Sequence, residues 1–310
     1  MHLLVPFASD DSEACRHVLR DLALPNLSRL LARLEPAARD DGTVDSFSPP
    51  HERALAAARG WRGGDGALPF AARAAQADGV AVGERPWGLV TPAHWLLGRD
   101  HATMLDPAGL GLGETESRAL FEAIRGLFES EGFAAAWGAA ERWYVGHDEL
   151  EGFATASLDR VIGRNVDRWL GETRSAIGRR IRRLQSEAQL VFYAHPVNEA
   201  REARGEPAVN SFWLSGCGRA QPVAPTAEVR VEDSLRAPQL ADDWAAWADA
   251  WRALDAGAIA ELSRAASSDA SITLCGERRA QRFEHRPRSA WQRLAGSFRS
   301  VEPHTILESL

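Results

Sequence analysis

The sequence predicts an α/β fold, because short apolar strands alternate with amphipathic helices and no internal repeat or low-complexity tract interrupts the alternation. Residues 2–8 (HLLVPFA) read as a buried strand, and Ser9, Asp10 and Asp11 lead into an N-capped helix over residues 13–22. Residues 27–34 continue helically. Residues 40–50 are polar and end in Pro49-Pro50, and residues 61–67 are rich in glycine, so both segments read as surface connections. Residues 79–97 carry strand-like apolar content broken by two prolines, and residues 105–107 close that element.

Over residues 115–132, Leu120, Phe121, Ile124, Leu127 and Phe128 recur at the three-and-four spacing of an amphipathic helix. Residues 157–170 and 177–193 read as helical too. In the first of these, Leu158, Val161, Ile162 and Val166 share a face, while Arg160, Arg164 and Arg168 stand four apart. Residues 209–214 read as a short strand that runs into a glycine-rich turn, Ser215-Gly-Cys-Gly218. Trp244, Trp247 and Trp251 then lie on one side of a helix, residues 258–265 extend the helical region, and Ser271–Cys275 (SITLC) reads as another buried strand.

With 310 residues, 45% of them hydrophobic, the chain can bury a core of ordinary size. The pattern reads as a single domain over residues 1–310, with a smaller lobe near 79–205 as the subdivision it admits. No apolar run approaches a membrane span, and the first residues lack the charged-then-apolar order of a signal peptide, so the expected location is the cytoplasm, with no membrane partner. The three cysteines stand apart without a CxxC pair, which suits a reducing compartment. A net charge of −7 argues against a nucleic-acid partner, because binding phosphates needs a basic face. All 36 basic side chains are arginine, the better bidentate ligand for phosphate and carboxylate. No Gly-x-Ser-x-Gly elbow, P-loop or dinucleotide fingerprint occurs, which counts against hydrolase, nucleotidase and dehydrogenase chemistry.

Polar residues concentrate between residues 181 and 222. There His195, Asn198, Arg201 and Asn210 precede Ser215, Gly216 and Gly218, and a Gly-x-Gly turn after a strand can offer backbone N–H groups to an anion. Arg164 and Asn165 are further candidates for clamping a phosphate or carboxylate. Asp100-His101, preceded by His94 and Arg99, is the densest titratable cluster, suited to metal ligation or acid–base work. Cys217 stands within the glycine turn with no histidine adjoining it in sequence, and reads as a structural thiol more readily than as a nucleophile.

The run HPVNEAREARGEPAVNSFWLSGCGRAQP resembles the HPxN–R–G–N–W–G–G–P segment of archaeal-type, cofactor-independent phosphoglycerate mutases of the alkaline phosphatase superfamily. The whole sequence also resembles proteobacterial proteins labelled phosphoglycerate mutase or regulatory proteins of the rpf (pathogenicity-factor) cluster type. The resemblance implies an alkaline-phosphatase-like mixed sheet flanked by helices, in a reduced version. It also implies a two-metal centre with an aspartate after the first strand, a Ser or Thr nucleophile, and later Asp-His and His ligands.

This chain departs from that pattern. Pro6 and Phe7 stand where the first metal-binding aspartate is expected, with Ser9, Asp10 and Asp11 following, and Cys275-Gly-Glu277 stands where an Asp-His pair is expected. His285 and His304 lack the acidic neighbours of the pattern. A two-metal mechanism needs several ligands converging on two ions. The expectation is therefore a regulatory protein without a cofactor that binds a phosphorylated small molecule or a protein partner. The alternative is an active mutase or related phosphotransferase using Mn or Mg, an isomerase whose catalytic candidates are Asp10, Asp100 and His101, with Asp100 and His101 the first choice for any metal.

Overall fold

The computed structural model describes residues 1–171, 175–224, 228–265, 270–285 and 301–310. In chain order its elements are β1 (His2–Val5), α1 (Glu13–Asp21), α2 (Pro25–Leu31), β2 (Glu35–Asp41), α3 (Pro50–Arg59), α4 (Phe70–Ala77), β3 (Trp87–Ala93), β4 (Trp95–Leu97) and β5 (Ala102–Met104). Next come α5 (Glu114–Ser130), β6 (Ala134–Ala139), β7 (Arg142–Gly146), α6 (Leu158–Val161), α7 (Ala176–Tyr193), α8 (Pro196–Ala203) and β8 (Ser211–Gly218). The chain ends with β9 (Val229–Val231), α9 (Arg236–Leu240), α10 (Trp244–Leu254), α11 (Ala260–Ala265), β10 (Ser271–Cys275), β11 (Arg279–Glu284) and a short helix, Pro303–Leu307. None of the described helices is long and apolar enough to cross a membrane.

Two compact units result. The first comprises Met1–Asp45, Pro49–Gly60 and Val223–Leu310. Its mixed sheet runs β2-β11-β10-β1-β9, with β1 parallel to β10 and β9 and the other pairs antiparallel. Because side chains alternate across a strand, Leu3 and Val5 of β1 face a core built with Leu27, Trp247, Trp251 and Ile272, while Leu4 faces Ala54 and Leu55 of α3. Helices therefore cover both faces, as parallel strands require.

The second unit comprises Ser46–Ser48 and Trp61–Pro222. Its antiparallel sheet runs β6-β7-β3-β8. One face packs Val90, Trp143, Val145 and Phe212 against Leu120, Phe121, Ile124 and Phe128 of α5 and Leu184 and Phe192 of α7. The other face sets Trp87 and Tyr144 on Ala72 and Ala75 of α4.

Local structure departs from the sequence pattern in three places. Over residues 157–170 the chain forms only the one-turn α6 and a 3-10 turn, Val166–Trp169, because Gly163 takes φ of 72° between them and the Asn165 side chain caps the second by accepting from Asp167 N–H. Arg160, Arg164 and Arg168 therefore form no helical stripe. Ser215–Gly218 is part of β8 rather than a turn. Gly88 of β3 there opposes both Gly216 and Cys217, a bulge in which Gly216 takes φ of 64°. Lastly, β2 (EPAARDD) has no apolar run, and pairing with β11 makes it a strand.

Candidate functional site

The polar residues at 195–210 stitch chain segments of the second unit together. His195 caps α8, its Nδ1 accepting from Val197 N–H, so the break after Tyr193 separates α8 from α7. The Asn198 carboxamide donates to the carbonyls of Phe192 (2.8 Å) and Val209 (2.7 Å) and accepts from Val209 N–H (2.9 Å), tying the end of α7 to the lead-in of β8. Asn210 accepts from Trp95 N–H and donates to the Trp95 carbonyl, holding β4 as a neighbouring strand would. His94 Nδ1 donates to the Ala208 carbonyl at 2.6 Å.

Arg201 lies behind this layer with its side chain fully buried. It donates to Glu116 at 2.6 Å and to the carbonyls of Pro207 and Leu110. Glu116 also receives Arg204 at 2.6 Å. Burial alone raises the Glu116 pKa, but the hydrogen bonds from Arg204 and Arg201 outweigh it and hold the carboxyl below its usual range.

Stapling β4 and β5 beside α7 and α8 leaves a groove of about 460 Å³. His94, Trp95, Asn198, Glu202, Val209 and Asn210 form part of its lining, and three apolar side chains in that lining stand out to solvent: Leu97 is 85% exposed, Leu190 75% and Tyr193 89%. Of the residues expected to bind ligand, the structure brings Asn198 and Asn210 together here. Arg201 is used internally, and Arg164, Asn165, His195, Ser215, Gly216 and Gly218 do not line the groove. Leu97, Leu190 and Tyr193 were not singled out from the sequence, although Leu190 and Tyr193 fall off the buried stripe of α7, Ile177-Ile181-Leu184-Ala188-Phe192.

The β8 bulge offers no nucleophile. Burial pushes the Cys217 thiol up to about 12, a hydrogen bond with Thr155 only partly opposing it. Asp100 and His101 are exposed on the β4–β5 turn, where His101 O accepts from Gly98 N–H.

In the first unit, β1 and β10 end side by side, where open parallel sheets place their ligands. Ala8 N–H donates to the Cys275 carbonyl at 2.8 Å, and a Cβ on Gly276 would lie 2.5 Å from Ser9 Oγ, so the two loops touch. Asp10 accepts from Ser12 N–H at 2.7 Å and from Gln239 at 3.4 Å, and Asp11 accepts from Arg278 at 2.9 Å. Burial drives the Cys275 thiol pKa well above its ordinary value. Among the described residues no three of His, Cys, Asp and Glu converge as metal ligands.

No protein-family model matches the chain, and no curated protein matches it. Two solved structures are similar over most of its length. The PH0037 protein from Pyrococcus horikoshii is 12% identical, with 91% of this chain and 86% of that chain covered at a TM-score of 0.45. A cofactor-independent phosphoglycerate mutase from Thermoplasma acidophilum is 14% identical, with 91% and 88% covered at a TM-score of 0.36. Likenesses this distant carry no argument about activity.

Proposed function

We propose that the protein is a phosphoglycerate-mutase-like scaffold that acts by binding a protein partner in a regulatory role, with the groove between the β4–β5 hairpin and the end of α7 as the contact surface. The observation that carries this reading is the exposure of Leu97, Leu190 and Tyr193 around a groove of about 460 Å³. Apolar side chains clustered on a surface lose free energy to water unless another surface covers them. Among the described residues the lining contains Glu202 and no arginine, which favours an apolar protein side chain over a phosphorylated small molecule.

A photo-crosslinking amino acid at position 193, introduced in the source cell, tests the reading. The expected result is one discrete protein adduct, lost when Leu97→Asp or Leu190→Asp is added and absent from a crosslinker on the far face of α5. Adducts insensitive to both substitutions overturn it.

A second reading, a metal-dependent phosphotransferase with altered ligands, draws on Asp10, Asp11 and Glu277 following the ends of the parallel strands β1 and β10. Manganese or magnesium would be its cofactor. Metal content by mass spectrometry together with 3- to 2-phosphoglycerate interconversion decides it. Stoichiometric metal with turnover lost in Asp10→Ala replaces the binding reading; neither metal nor turnover removes the alternative.

A further inference from the structure

The groove beside the β4–β5 hairpin carries a negative charge that its surroundings leave unanswered. The arginines nearest to it on α8 and just beyond are already taken: Arg201 and Arg204 each reach Glu116 at 2.6 Å, and Arg204 also reaches Glu206 at 2.7 Å. Glu202 stands between them in sequence, is exposed, and makes no ion pair among the described residues. It is the one acidic residue in the described lining of the groove, and no arginine accompanies it there.

Two elements bring acceptors to the same stretch of backbone. On α8, Glu202 stands one turn beyond Asn198, the spacing that puts two side chains on one helix face, and Asn198 binds both backbone groups of Val209. From the join of β3 and β4, His94 Nδ1 meets the Ala208 carbonyl at 2.6 Å. A carbonyl only accepts, so Nδ1 carries the proton, and the neutral ring keeps Nε2 as an acceptor with no partner among the described residues. His94, Glu202, Ala208 and Val209 all line the groove. Tyr193, 89% exposed in the same lining, adds an aromatic face of the kind that attracts a cation.

We infer that the partner enters this groove with a basic side chain, arginine or lysine, set among apolar neighbours. The inference rests on the groove being the docking surface and names the chemistry that it selects. The cation meets the Glu202 carboxylate and His94 Nε2, while the neighbouring side chains cover Leu97, Leu190 and Tyr193. A wholly apolar segment would strip water from Glu202 and put nothing in its place. An acidic or phosphorylated segment would set like charges together.

The test selects binders of full-length protein from a phage-displayed library of random short peptides, with the Leu190→Asp protein as the subtraction. The expected result is enrichment of sequences in which arginine or lysine is flanked by apolar residues. One enriched peptide, synthesised alongside its counterpart with the basic residue replaced by glutamine, then serves as the probe. The basic form should bind about tenfold more tightly, and Glu202→Gln should remove that difference. Glu199→Gln, the same change on the same helix outside the groove lining, should leave it intact. Glu202→Arg should reverse the selection towards acidic peptides, with an unchanged urea midpoint as evidence that the exposed position does not disturb folding.

Enrichment of apolar peptides with no basic residue, or a preference that survives Glu202→Gln, overturns the inference and leaves the groove standing as a docking surface. Enrichment of acidic or phosphate-mimicking sequences on the unmodified protein overturns it as well. No enrichment over the Leu190→Asp protein removes the groove reading and this inference together, so the two failures are told apart.

Discussion

Asn210 treats Trp95 as a strand neighbour: its side-chain oxygen accepts the Trp95 N–H at 2.7 Å and its NH₂ donates to the Trp95 carbonyl at 2.9 Å. One side chain thereby occupies both outward backbone groups of Trp95 in the three-residue β4 and fixes one wall of the groove. Replacing it by alanine leaves both backbone groups without that partner. Asn210→Ala should cost about 2 kcal/mol, read as a lower urea midpoint at unchanged slope. An unchanged midpoint means that water substitutes freely for the carboxamide and that Asn210 does not hold the hairpin.

The β8 bulge gives a second prediction. A Cβ on Gly216, at φ of 64°, would lie 3.0 Å from Ala71 N and 3.3 Å from Phe70 Cβ, whereas one on Gly205, at φ of 74°, would meet nothing within 4 Å. Both alanine variants pay the left-handed backbone penalty of about 1–2 kcal/mol. Gly216→Ala should be the less stable of the two, because the start of α4 must also give way. Equal unfolding midpoints would show that α4 yields without cost.

These residues also show how far the sequence was legible. The spacing of Leu120, Phe121, Ile124 and Phe128, and of Trp247 and Trp251, gave helix faces that the structure buries, and SITLC gave the central strand β10. The strands β2, β6 and β11 were not visible, since EPAARDD, AAAWGA and RAQRFE lack clean apolar alternation and become strands by pairing: β6 with the adjoining β7, β11 with the adjoining β10, and β2 with β11 far along the chain. At the site, Asn198 and Asn210 were named from the sequence. The bonding of Asn210 to Trp95 was not foreseeable, because it depends on β4 folding beside a residue more than a hundred positions away, whereas Asn198 bonds Phe192 and Val209 close by in the chain.

Arg201 supplies a third prediction. Its side chain is fully buried, and Glu116 at 2.6 Å is the nearer of two carboxylates, Glu206 standing at 3.5 Å, so Glu116→Ala leaves a buried charge with only the longer contact and should destabilise the protein by about 3 kcal/mol. Adding Arg201→Met should recover part of the loss, since it removes that buried charge as well. The sign of the pH effect follows from the depressed Glu116 pKa: its contribution is present above the unfolded carboxylate value and is lost as pH falls through the lower folded value. Acid unfolding should therefore show a shallower dependence in the double variant.

His2 adds a separate acid sensitivity. Burial, reinforced by the positive charges of Arg282 and the amino terminus, lowers its pKa from 6.5 to about 4, and its Nε2 lies 2.8 Å from Thr273 Oγ1. The unfolded chain binds a proton that the folded one resists over that interval. Stability should fall as pH drops from 6.5 to about 4, and His2→Gln should flatten the slope of unfolding midpoint against pH. The same slope in both proteins would assign the acid sensitivity to carboxylates instead.

The cysteines bear most directly on whether this chain does covalent chemistry. Cys15, Cys217 and Cys275 are all buried, and burial is the leading cause that pushes the first two thiols up to about 12 and the third above its ordinary value. The thiolate is the reactive form, so its population near neutral pH is very small in the folded protein. Native protein mixed with a disulfide reagent at pH 8 should release thiols only as fast as it opens, and denaturant should expose all three at once. Fast reaction of one thiol in the native state, lost in Cys217→Ala, would place an accessible nucleophile at the β8 bulge and undercut the proposal that the protein works by binding alone.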